Sequence, residues 1–209
     1  MMAPHLRKLA LTAHVTCSVG WLGSVAGFLV LAIAASSTGA QDTIRGAYIA
    51  MELTGWYVIV PFCLAALITG LILSLGTPWG LFRHYWVLLK FLITAVAALI
   101  LLGFTQTLGS LGELASDTTL SIEELRALNQ SPALHSGGGL VALLVTTILG
   151  VYKPWGLTPY GRRKQISAAG PEPDSSAPIP WRLYVMLGFI ALVLLFLVLH
   201  LLSGGAGHR

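Results

Sequence analysis

The sequence predicts an all-α membrane protein: five transmembrane helices, four of them packed as a core four-helix bundle and the fifth a peripheral C-terminal helix. Three observations predict this. Of 209 residues, 56% are hydrophobic and 10% are charged, whereas a soluble domain carries roughly 25% charged residues. The apolar residues gather into runs as long as the ~20 residues that cross a bilayer. None of the runs alternates like a barrel strand, and in lipid only helices and closed barrels pair every backbone group.

The first span covers about Leu9–Ala35. Arg7 and Lys8 before it and small residues near Ala34–Ser37 resemble a signal peptide. Its apolar stretch exceeds the roughly 7–15 residues of a signal core, however, so it is expected to remain as a helix. His14, Cys17 and Trp21 share one face of it. Gly23 and Gly27 form a small-xxx-small pair, expected to admit another helix closely.

The second span, Leu53–Leu75, follows Glu52 and contains Pro61, a possible kink. The third, Trp86–Leu108, follows His84 and carries Lys90, Thr94 and Thr105 as a polar stripe. The fourth, Leu134–Tyr152, begins at His135 and the Gly137–Gly139 run, which suits close packing. Before it, Ser121-Ile122-Glu123-Glu124 has the capping-box pattern of a short helix, extending to about Leu128 on the membrane surface. The fifth span is Arg182–Leu202, with His200 near its end.

The chain therefore divides into residues 1–164, a bundle with the cofactor site; 165–180, a Pro/Ser/Ala-rich mobile cytoplasmic linker; and 181–209, the fifth span and an outer tail. With the amino terminus inside, eight basic residues (Arg7, Lys8, Arg83, Lys153, Arg162, Arg163, Lys164, Arg182) face the cytoplasm, against Arg45, Arg126 and Arg209 outside. The positive-inside rule then places the carboxyl terminus outside. The location expected is the bacterial inner (cytoplasmic) membrane. The net charge of +4 belongs to membrane flanks rather than a nucleic-acid face, so the partner expected is the lipid bilayer. Cys17 and Cys63 lie at different depths and are expected as buried thiols, not a disulfide.

Ionisable residues within spans are costly and mark function by default. At about 1.5 Å per residue, His14, His84 and Lys90 converge on one inner level, while Glu52 and His135 meet on the outer level. Each has a plainer alternative: a helix–helix hydrogen bond for His14, snorkelling for Lys90, the aromatic belt for His84, the headgroup region for His135 and His200, and nearby hydroxyls such as that of Thr54 for Glu52. No HxxxH, CxxC or HExxH stands in the sequence, which weakens a zinc-hydrolase reading. Phosphate loops and filter rings are absent too. A haem fits better, because a bundle core supplies apolar walls and isolated histidines supply axial nitrogens. His14, His84 and His135 are the candidate metal ligands. Lys90 and Arg83, with Arg7, are candidates to pair propionates, and Trp21 and Glu52 complete the candidate binding residues.

Several stretches carry a resemblance: His14 to Gly23, Met51-Glu52-Leu-Thr-Gly55-Trp56, Pro78-Trp79-Gly80 through Arg83-His84-Tyr-Trp86 to Lys90, His135 to Gly139, and Val151-Tyr-Lys153-Pro-Trp-Gly156. Over residues 6–164 the chain resembles an uncharacterised bacterial integral-membrane family, a domain of unknown function. More distantly it is similar to the haem-containing membrane protoporphyrinogen oxidase and the copper-resistance D membrane proteins. That similarity implies that His14 and Lys90 match the intramembrane His and Lys tied there to haem binding and activity.

The function expected is a b-type haem membrane protein with one haem b, or two if a second sits around His135. Its chemistry would be electron transfer, or oxidoreductase work on a quinone or porphyrin, and a homo-oligomer is compatible. A copper-handling transporter using His14, Cys17 and Met51, and a structural subunit without cofactor, are the alternatives. A porphyrin spectrum, stoichiometric copper or neither would separate the three.

Overall fold

The computed structural model describes residues 2–77, 80–117, 121, 123–124, 130–154 and 156–169. The fifth span Arg182–Leu202, its His200, most of the linker and the body of the short helix expected after Ser121 lie outside the described residues.

Helix α1 runs Pro4–Ser37, with Pro4 in the first turn, where a missing N–H costs nothing. Helix α2 (Gln41–Thr54), a π-helical turn (Gly55–Ile59) and α3 (Val60–Gly76) follow one another without a break. The π turn answers Pro61: in a regular helix its ring would meet the Tyr57 carbonyl. One extra residue in the turn absorbs it, with the Val60 N–H reaching back to the Gly55 carbonyl. Helices α4 (Tyr85–Ser116) and α5 (Gln130–Tyr152) complete the bundle.

Among the described residues, four segments are long and apolar enough to cross a membrane: Pro4–Ser37, Gln41–Gly76, Tyr85–Ser116 and Pro132–Tyr152. The chain is an all-α membrane protein with a four-helix core. Each helix outruns its apolar stretch, most clearly the second, which begins twelve residues before Leu53. Apolar counting finds only the part that needs lipid, while intrahelical hydrogen bonds carry the helix on through polar residues.

α1 and α4 each pack against α2, α3 and α5, so these two helices lie diagonally across the bundle. The core is formed by Trp21, Val25, Phe28 and Ala32 of α1, Tyr48 and Met51 of α2, Cys63 of α3, Phe104, Leu108 and Leu111 of α4, and Leu143 of α5. Large apolar side chains such as Val30, Ile33, Leu99, Val141 and Ile148 point outward, as contact with lipid requires.

The glycine expectation needs correction. A Cβ built at Gly23 or Gly27 meets nothing within 4 Å, and both residues are exposed, so this pair admits no helix of the described chain. The close approaches occur elsewhere. At Gly55 a Cβ would overlap the Leu108 side chain, and at Gly112 it would overlap the Glu52 carboxylate. The contact of the second span with α4 therefore depends on two glycines that carry no GxxxG signature.

The capping box forms as expected. The Ser121 backbone N–H and hydroxyl both donate to the Glu124 carboxylate at 2.9 Å, and the Glu124 N–H donates to the Ser121 hydroxyl at 3.3 Å. These bonds, the backbone one foremost, hold the exposed Glu124 carboxyl below its usual range. A separate compact unit begins at Pro159. Its helix α6, Pro159–Ala169, carries Arg162, Arg163 and Lys164, with the Lys164 ammonium 6.0 Å from the Tyr160 ring centroid. Helix α6 includes the first residues of the segment expected as a linker.

Candidate functional site

The core fills only part of the bundle. Toward the end where α1 and α4 begin and α3 and α5 finish, the facing residues turn small or polar: His14 and Ser18, Gly70 and Ser74, Lys90 and Thr94, Thr147 and Gly150. Together with apolar neighbours they line a cleft of about 630 Å³. That volume falls within the roughly 300–1,000 Å³ range of small-molecule and cofactor sites. Its deepest lining residues are Leu22, Ala66, Thr94 and Thr147. One turn beyond each lies Val25, Cys63, Ala98 or Leu143, all in the packed core. These four form a floor.

His14 stands on α1 and is held by α3. Its Nδ1 lies 3.0 Å from the Ala66 carbonyl oxygen and 3.1 Å from the Thr69 hydroxyl oxygen. A carbonyl can only accept, so the ring proton is assigned to Nδ1, which leaves the Nε2 lone pair unprotonated in the neutral imidazole. The Thr69 hydroxyl is itself committed to the Ala65 carbonyl at 2.6 Å. Such a side chain in a helix returns its proton to the preceding turn and keeps an oxygen lone pair for the imidazole. Gly70 makes the ring's position possible, since a Cβ there would stand 3.0 Å from His14 Cε1.

Lys90 enters from α4, diagonally opposite. A Cβ at Gly150 would lie 3.3 Å from its Nζ, so α5 leaves room for the ammonium as α3 does for the imidazole. Arg7 and Lys153 stand nearer the mouth, and among the described residues no Asp or Glu lines the cleft. Lys153 is placed by an unusual backbone: it ends α5 at φ 45°, with its N–H donating to the Leu149 carbonyl at 3.1 Å. Glycine is the usual residue at that position.

The other expected site residues fall elsewhere. His84 is the extended residue just before α4, paired in an antiparallel bridge with Leu157, its ring tilted on Trp86 with centroids 6.3 Å apart. It does not line the cleft. Next to it, the Arg83 carbonyl accepts the Thr158 N–H at 2.9 Å, and the Arg83 side chain folds over Gly80, so Arg83 is not a cleft residue either. Depth alone grouped these two with His14; the loop hydrogen bonds turn them aside. Trp21 is buried in the core beyond the lining. At the other end of the bundle, His135 stacks on Phe104 with centroids 4.1 Å apart and planes at 15°. Glu52 lies against Gly112.

Sequence reasoning missed Lys153 and the supports Thr69, Gly70 and Gly150. Gly70 and Gly150 offered a signal, since each stands within a mostly apolar span. Among the described residues, no three His, Cys, Asp or Glu side chains gather as a metal site. Met51 is fully buried in the core, away from the cleft. No protein-family model, curated protein or solved structure matches the chain.

Proposed function

We propose that the chain is a haem-binding integral membrane protein of the bacterial inner membrane, holding one haem b in this cleft through His14. The observation that carries the proposal is the His14 hydrogen bond. An Nδ1–H tied to a backbone carbonyl is the outer-shell arrangement that presents Nε2 to a metal. The Gly-lined apolar walls suit a macrocycle, and the cationic, carboxylate-free mouth suits its two propionates. Bound haem would supply one-electron or oxygen chemistry on a quinone- or porphyrin-type substrate.

The residues divide that work. Ala66 and Thr69 fix the tautomer and the plane of the imidazole, so His14 needs no reorientation on binding. Arg7 and Lys153 at the mouth balance carboxylate charge at the interface, where a charge is cheaper than at depth. Lys90, deeper on α4, keeps a cation beside the apolar pocket without a carboxylate partner in its lining. On the positive-inside rule this basic end faces the cytoplasm. A copper site would need several soft ligands together, whereas a porphyrin needs one well-held imidazole. The second haem expected around His135 has less support, because the His135 ring already stacks on Phe104.

The decisive experiment is an absorption spectrum of protein purified from haem-replete cells. A Soret band and a reducible α-band are expected, and both should be lost in His14→Ala. A colourless preparation sinks the proposal, and stoichiometric copper without porphyrin would replace it with the metal-handling reading.

A further inference from the structure

We infer that the chain offers a bound haem a single axial imidazole, leaving the opposite face of the iron open to a small exogenous ligand. This rests on the haem reading above and deepens it: the protein would be a reactive five-coordinate site rather than a bis-histidine electron relay.

Two histidines would have to approach one iron for a relay, and the fold separates them. Among the described residues, His14 is the one histidine that lines the cleft. His84 is fixed at the start of α4 by the bridge to Leu157, and Thr158 N–H bonding to the neighbouring Arg83 carbonyl anchors the same stretch of backbone. Turning its ring into the cleft would require that backbone to move. His135 lies against Phe104, fourteen residues beyond Lys90 on α4, or about 21 Å along the helix axis. The helices facing His14 present glycine, threonine, Ser74, Lys90 and apolar side chains, with Lys153 at the mouth, and none of the apolar or hydroxyl groups is a histidine-like donor. Glycine and threonine are not haem ligands, and lysine ligates only as a neutral amine, since an ammonium has three donors and no lone pair. As an ammonium, Lys90 serves the open face as a charge and favours an anionic ligand there.

The test uses the full-length holoprotein in detergent, with carbon monoxide, cyanide and imidazole as probes. The ferric form should be high-spin and become low-spin on adding imidazole, and the ferrous form should bind carbon monoxide. His84→Ala and His135→Ala should leave these spectra unchanged. Lys90→Met should weaken cyanide binding roughly tenfold, the scale of one charge-assisted hydrogen bond. Should His14→Ala fail to assemble, His14→Gly supplemented with imidazole should regain the haem spectrum. A low-spin ferric protein that turns high-spin in His84→Ala or Lys90→Met overturns this inference while sparing the haem reading. A preparation without haem overturns both.

Discussion

At His14 a single hydrogen bond decides which nitrogen is available, and Gly70 decides whether the ring can stand where it does. Replacing Gly70 by alanine puts a methyl 3.0 Å from Cε1, so the ring must turn. An off-rotamer displacement of some 30° costs about 0.5–1.5 kcal/mol. Haem affinity in Gly70→Ala should then fall roughly two- to tenfold, measured by titrating haem into apoprotein, while the helix, which prefers alanine, melts no earlier. An unchanged affinity would show that Gly70 does not position the ligand. Lys153 gives the opposite trade. Its left-handed backbone costs an L-residue roughly 1–2 kcal/mol, partly offset by the flexibility that glycine brings to the unfolded chain. Lys153→Gly should gain about 0.5–1 kcal/mol of stability in detergent unfolding and lose haem affinity together. A gain without that loss would remove Lys153 from the site.

Among the elements, the α2–π–α3 segment shows where the amino-acid pattern was informative and where it stopped. Pro61 announced an irregularity in the second span, and the π turn appears just before it. What could not be seen was the partner. Gly55 is needed because Leu108 of α4 occupies the place of its Cβ, and that contact joins residues more than fifty positions apart. Gly55→Val should destabilise the bundle by about 1–3 kcal/mol through overpacking, and the added Leu108→Ala should recover part of the loss. Simple addition of the two penalties would refute the contact. The same limit explains the site residues. Four spans, His14 and Lys90 stood out because a charge or imidazole in an apolar run is visible locally. The positions of His84 and Arg83 were misjudged because depth ignores azimuth, and backbone bonds to residues 157 and 158 set where their loop faces. Gly23 and Gly27 misled for the same reason: the motif gives spacing, but only the fold says which face is covered.

For the whole molecule, the asymmetry of charge makes a prediction about orientation. In intact cells a membrane-impermeant maleimide should label Ser121→Cys, on the loop between α4 and α5, and should label Lys164→Cys only after permeabilisation. The reverse pattern would turn the molecule over and point the cleft away from the cytoplasm. Native Cys17 and Cys63 should contribute little background, because one is half-buried and the other buried.

The floor of Val25, Cys63, Ala98 and Leu143 has a consequence of its own. It closes the cleft at that end, so nothing passes along the bundle axis from the basic mouth to the far end of the core. Filling or emptying the cleft therefore opens no passage along the bundle axis through this core.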